Sequence, residues 1–330
     1  MTAAATTIDA PRRVFASSIK RSRRWALIAS YFFLILFAIF FLVPPYYQLA
    51  TATKTSEQIS NQNTNPWLPA LSSSAEGLNP GGANAGKASL ATKAQSSWMP
   101  AALPGAWANV TQLRTTTDFP IYFRNTAIVT VLVVIVTMVI AVPAAFSLGR
   151  MKFWGSGMLA TGVFLTYLVP DSLLFIPLFK VVGGLGLLNS YWGLVLVYPT
   201  LSVPFCTWIM IGYFQSIPKE LDEAALIDGA NYLQMLFKIF IPVALPGVIA
   251  ATIFAFTVSW AAFVYPRAFL YSSDQQVLTV GTVTSLIRAD VYKWGMLMAG
   301  ALIAAAPPLV IYAFLMDYYI AGLTAGATKG

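Results

Sequence analysis

Three acidic residues, Glu220, Asp222 and Glu223, crowd the start of a short helix-forming stretch that continues through Ala224, Ala225, Asp228 and Gly229. Pro218 stands near its beginning, the acids favour the positive end of a helix dipole, and Gly229 supplies a stop. This chemistry suits recognition better than bond-making. Small alanines let another backbone come close, and Glu223 can pair with a basic group across an interface. Catalytic chemistry is poorly supplied elsewhere. There is no histidine, and the single cysteine, Cys206, lies in an apolar run, so neither a metal site nor a nucleophile–base pair has the required spacing. No catalytic residue and no metal ligand is assigned. Gly81-Gly82-Ala83-Asn84-Ala85-Gly86-Lys87 imitates a phosphate-binding loop, but Ala88 stands where a magnesium-binding hydroxyl is needed and no apolar strand precedes it.

Two further groups have the chemistry to line a solute pathway. Asp171 is the only ionisable group well inside an otherwise apolar span, and a carboxylate in lipid is costly. Lying between Pro170 and Ser172, it either lines a pathway or caps the second half of a broken helix, and the two roles are compatible. Ser259, Trp260 and Tyr265 form the second group. Aromatic faces stack on sugar C–H groups without demanding a charge, while the rival role for Trp260 is helix packing.

The elements that hold these residues are membrane spans. Of the 330 residues, 58% are hydrophobic and 10% charged, and the mean hydropathy is +0.70, which excludes an ordinary soluble domain. The net charge of +8 reflects basic residues beside apolar runs, so it reports orientation and not nucleic-acid binding. Residues 1–24 form a basic cytoplasmic N-terminus, and 25–43 a first span. A cleaved signal peptide ending near Ala50-Thr51-Ala52 is the rival reading, although the apolar run is longer than a usual signal core. Residues 44–120, rich in Ser, Thr, Asn, Gln, Gly, Ala and Pro, form an extracytoplasmic insertion; Asn109-Val110-Thr111 within it fits a glycosylation sequon. Five more spans follow at about 121–148, 158–182, 191–214, 243–264 and 294–320, placing both termini in the cytoplasm. Prolines 143, 170, 177, 199, 204, 307 and 308 predict broken helices. The loop 215–242 holds the acidic helix and a second helix bearing Leu233, Leu236, Phe237 and Phe240 at helical spacing.

Glu223-Ala224-Ala225, Gly229, then Ile239, Ile241 and Pro242 resemble the EAA loop of ABC-importer permeases, and Asp228-Gly229-Ala230 is the form common in the carbohydrate, maltose-type subfamily. Asn125-Thr126 and the segment Ala144 to Arg150 resemble the opening and close of that family's first core helix. The tail Gly322-Leu323-Thr324-Ala325-Gly326-Ala327-Thr328-Lys329-Gly330 is similar to the ending of maltose-type permeases. One departure concerns Trp260: Ala261 and Ala262 stand where those permeases carry polar residues.

The resemblance implies an all-α integral membrane protein with six transmembrane helices and the type I ABC importer permease fold, including a core over 121–320 and a cytoplasmic tail over 321–330. It further implies that Glu223, Ala224, Ala225, Asp228, Gly229, Ile239 and Pro242 couple to an ATPase, and that Gly326, Lys329 and Gly330 touch it. The implied partners are a second permease subunit in a heterodimer, two ATPase subunits and a soluble solute-binding protein, with membrane lipid around the spans. ATP and magnesium would be held by the ATPase, leaving this chain without a cofactor or an enzymatic activity. The implied cargo is a sugar, oligosaccharide, polyol or related solute. The alternative function is a secondary transporter or channel without an ATPase, which usually needs more intramembrane acids or histidines than Asp171 alone. A membrane-embedded enzyme lacks any nucleophile–base pair.

Overall fold

A computed structural model describes residues 12–60, 65–69, 104–151, 153–288 and 291–327. The phosphate-loop imitation, Lys152, Lys329 and Gly330 lie outside them. Among the described residues the regular structure is helical except for one small hairpin, in which β1 (Ile287–Arg288) pairs antiparallel with β2 (Val291–Tyr292).

Helix α1 (Arg12–Ala52) carries Pro44 and Pro45 inside it and runs past the expected end of the first span. From residue 24 to residue 47 its side chains are exposed, as an apolar helix in lipid would be. Its C-terminal end is held: the Asn109 Nδ2 donates to the carbonyls of Ala52 and Lys54, both at 2.8 Å. The sequon asparagine is therefore buried and already occupied. Lys54 donates in turn to Asn65 O at 2.7 Å and Pro66 O at 2.8 Å, and burial lowers its pKa. The 44–120 stretch thus contains helix towards both ends, through α2 (Ser56–Ser60) and α3 (Pro104–Thr116).

The core is built on α4 (Phe119–Arg150), with α5 (Ser156–Tyr167), α6 (Asp171–Gly184) and α7 (Tyr191–Ser216) following. Small residues Ala141 and Ala145 let α4 approach α7, where Cys206, Met210 and Phe214 fill the same cluster. A hydroxyl pair, Thr137–Ser202 at 2.8 Å, joins the two helices in mid-span. Next come α8 (Glu220–Ile227), α9 (Tyr232–Met235), a π turn (Leu236–Phe240) and α10 (Ile241–Val243), which lead into α11 (Leu245–Trp260). Helix α11 completes the core, with Cys206 Sγ donating to Ala251 O at 3.3 Å. Beyond it lie α12 (Val264–Phe269), a 3-10 turn (Ser273–Gln275), α13 (Leu278–Leu286), the hairpin and α14 (Trp294–Ala327).

Among the described residues, four helical segments are long and apolar enough to cross a membrane: Arg24–Ala52, Phe119–Arg150, Tyr191–Ser216 and Trp294–Met316. Two bent pairs, α5 with α6 at 94° and Tyr232–Val243 with α11 at 85°, bring the number to six when each is one span. Breaks are rarer than the prolines predicted. Pro143, Pro177, Pro199, Pro204, Pro307 and Pro308 all lie inside continuous helices, whereas Pro170 stands at a break. In α7, buried Pro199 and Pro204 are wedged among neighbours, and the Thr200 and Ser202 hydroxyls bond back to the carbonyls of Val197 and Tyr198. The carbonyls that Pro199 and Pro204 free are those of Val195 and Thr200, so it is burial among neighbours, and not these hydroxyls, that lets α7 carry proline without parting.

Candidate functional site

Helix α8 starts and stops for local reasons. Glu220, Asp222 and Glu223 fill its first turn, and Gly229 at φ +75° closes it in the left-handed region, with Ala230 N donating to Ala225 O at 2.9 Å. Asn231 then opens the next helix through a capping box with Gln234. The expected second helix is not uniform. It passes through the five-residue π turn, which buries Leu236 and Phe240 and leaves Leu233 and Phe237 exposed. Seating Phe240 against Phe146 and Phe214, with centroids at 5.0 and 5.9 Å, accounts for this register.

One face of α8 is committed to the fold and the other is open. Ala225 is 4% exposed and belongs to the main core cluster. Glu223, Ala224 and Asp228 are exposed, and Leu226, Ile227, Tyr232, Leu233 and Phe237 surround them with uncovered apolar surface. Ile239 packs partly buried on the core, and Pro242 is exposed.

Sequence reasoning missed how α8 is fastened. Arg150, the last residue of α4, reads in the sequence as an orienting charge. In the structure its side chain is 6% exposed and paired with Asp222. Its Nη1 donates to Phe214 O at 3.2 Å and Ile217 O at 2.8 Å, its Nη2 also reaches Pro218 O at 3.2 Å, and the guanidinium lies 5.0 Å from the Phe240 ring centroid. The uncapped carbonyls at the end of α7 gave a partial signal.

The pathway candidates fall in two places. Asp171 is exposed as the first residue of α6, and its backbone carbonyl accepts from the Tyr265 hydroxyl at 3.1 Å. Lys180 also lies on α6, so Asp171 is not the only charge of that span. Tyr265 is buried beside Phe175, Tyr198 and Phe269. Ser259 and Trp260 are buried elsewhere: the Ser259 hydroxyl bonds to the carbonyls of Ala255 and Phe256, and the Trp260 indole donates to Ala304 O at 3.0 Å and stacks on Phe256. Gly326, placed by the resemblance in a tail over 321–330, lies within α14, which continues helical through Ala327.

The far end of α4 differs in character. Asn125 Nδ2 donates to the carbonyls of Asp274 and Gln276 at 2.8 and 2.9 Å, and Leu278 N donates to the Thr126 hydroxyl at 2.7 Å. These bonds pin the stretch between α12 and α13 over a cavity of about 690 Å³ lined by Asp118, Tyr122, Ser273, Gln276 and Thr284 among others.

Residues 138–324 match the family described as binding-protein-dependent transport system inner membrane component. Among curated proteins, the chain is 34% identical over 209 residues to the inner membrane ABC transporter permease protein YcjP of Escherichia coli, covering 63% of this chain and 74% of the relative. It is 32% identical to the trehalose/maltose transport system permease protein MalG of Thermococcus litoralis, covering 65% and 77%. It is 31% identical to the sulfoquinovosyl glycerol transport system permease protein SmoH of Agrobacterium fabrum, covering 68% and 78%. Among solved structures, a bacterial ABC transporter involved in the import of alginate shares the fold, with TM-score 0.71 at 20% identity over 91% of this chain and 98% of that one.

Proposed function

The chain belongs to the binding-protein-dependent transport system inner membrane component family, and from that premise we propose that it carries a sugar, oligosaccharide, polyol or related solute. It is a permease subunit of an ATP-driven importer. The carbohydrate class is supported by relatives whose names specify trehalose and maltose, maltodextrin, and sulfoquinovosyl glycerol. In this reading the chain forms half of the translocation pathway beside a second permease. Two ATPase subunits hold ATP and magnesium, a soluble binding protein delivers solute, and this chain performs no catalysis itself.

The observation that carries the coupling role is the uncovered face of α8. An exposed carboxylate at Glu223, exposed Ala224 and a rim of exposed Leu226, Ile227 and Phe237 stand beside a buried, ion-paired base. That combination suits a helix seated in a cleft of another protein. Both termini and α8 then face the cytoplasm, and ATP-driven closure of the motor turns the pathway by rigid-body movement of the spans. Asp171, Ser259, Trp260 and Tyr265 remain the pathway candidates, with Gly326, Lys329 and Gly330 as further ATPase contacts.

The test is purification of the chain with its neighbouring subunits, followed by uptake of a panel of mono- and oligosaccharides into proteoliposomes containing the binding protein. Co-purification with an ATPase and uptake that stops on ATP depletion, with ion gradients held, are expected. Uptake that follows the ion gradient and ignores ATP would identify a secondary transporter instead.

A further inference from the structure

A helix that receives force from a motor is useful only if its attachment to the spans does not give way. Three of the elements that meet beneath α8 end there or begin there: α4 ends at Arg150, α7 ends at Ser216, and α8 begins at Glu220. The guanidinium of Arg150 is bonded to all of them. It belongs to α4, caps the Phe214, Ile217 and Pro218 carbonyls at the end of α7, pairs with Asp222 on α8, and covers the ring of Phe240 in the π turn that leads into α11. Beneath it, Phe146, Phe214 and Phe240 are mutually in contact, one from each adjoining segment, with centroids 5.0 to 6.0 Å apart.

We propose that Arg150 is the positioning residue that locks α8 to the ends of α4 and α7, so that these three helices move as one body when the motor closes. The assignment rests on the reading that α8 docks on an ATPase. Arginine is suited to the task because its planar fork supplies several donors in fixed directions, whereas lysine concentrates its donors at one point and cannot span three carbonyls and a carboxylate. Position matters as much as charge. Removal of the fork strands the α7 carbonyls and Asp222 in a site where Asp222 Oδ1 already lacks a partner. The α8 helix then keeps its own hydrogen bonds but loses its fixed angle to the spans.

The experiment uses the intact importer in proteoliposomes, with spin labels at Lys219→Cys beside α8 and Val139→Cys on the exposed side of α4, in a Cys206→Ala background. In the unmodified clamp, the label distance is expected to be narrow without nucleotide and unchanged, within about 2 Å, after trapping with ATP, magnesium and vanadate. Arg150→Ala is expected to broaden that distribution without nucleotide and to lower solute moved per ATP hydrolysed, while the ATPase still co-purifies. Arg150→Lys gives an intermediate width, and decides the matter if the alanine variant fails to assemble. A distance that shifts on trapping with Arg150 intact overturns the proposal, as does a narrow distribution in both variants. Failure of the docking reading looks different: the labelled parent neither co-purifies with an ATPase nor hydrolyses ATP, yet the nucleotide-free widths still report on the clamp.

Discussion

The two ends of α4 are built by different physics. At the end carrying α8, one buried guanidinium, one carboxylate and three aromatic rings hold the joint, and the outer surface of the loop is left bare. At the other end, amide and hydroxyl side chains of Tyr122, Asn125, Thr126 and Gln276 tie a loop over a polar cavity through mostly neutral hydrogen bonds, with the Ser273 hydroxyl also donating to the Asp118 carboxylate at 3.0 Å. The ionic joint is stiff and directional because arginine has a fixed geometry. Neutral bonds are individually weaker and here more numerous. Under the proposed docking of α8, the contrast separates residues that would transmit movement from residues that keep the structure together.

Glu223→Ala provides the strongest test of that separation. Uptake should fall roughly ten- to hundred-fold, the scale of an ordinary coupling energy, while thermal unfolding in detergent shifts little because Glu223 is exposed and contributes to the fold only as a first-turn acid of α8. An equal loss of thermal stability would erase the distinction. Gly281→Ala probes the opposite end. Its new Cβ would lie 2.4 Å from the Tyr122 ring, so the ring must move at a cost of about 1–3 kcal/mol. Here the melting temperature should drop first and transport only in proportion. Asn125→Ala leaves the Asp274 and Gln276 carbonyls without their donor and should cost about 1–2 kcal/mol by the same measurement. Thr137→Val, midway between the ends, removes the hydroxyl pair to Ser202 and should cost about 0.6 kcal/mol with coupling intact.

How much of this was legible in the sequence depended on the distance over which each signal acts. Helix α8 was readable because Pro218, the first-turn acids and Gly229 act within a few residues of one another. Arg150 was not: its partner Asp222 lies 72 positions away, and both residues already had local explanations, one as an orienting charge and the other as a dipole partner. Pro199 and Pro204 misled because their burial inside a continuous α7 depends on packing that the local sequence does not show. Within 44–120 the composition suggested irregular chain. Asn109 nonetheless orders α3 against the end of α1 through contacts more than 50 residues apart. The spacing around Glu223 that resembles the family's EAA loop pointed to the family, which the match over residues 138–324 shows.

The π turn at Leu236–Phe240 sets the phase between the acidic helix and everything downstream. Loss of a single residue there would wind the chain back by about 100°, the angular step of an α-helix, and turn Phe240 off the Phe146 and Phe214 rings even with every side chain of α8 unaltered. Substitutions of the exposed Phe237 and Lys238 should therefore be tolerated far better than any change in the length of this stretch.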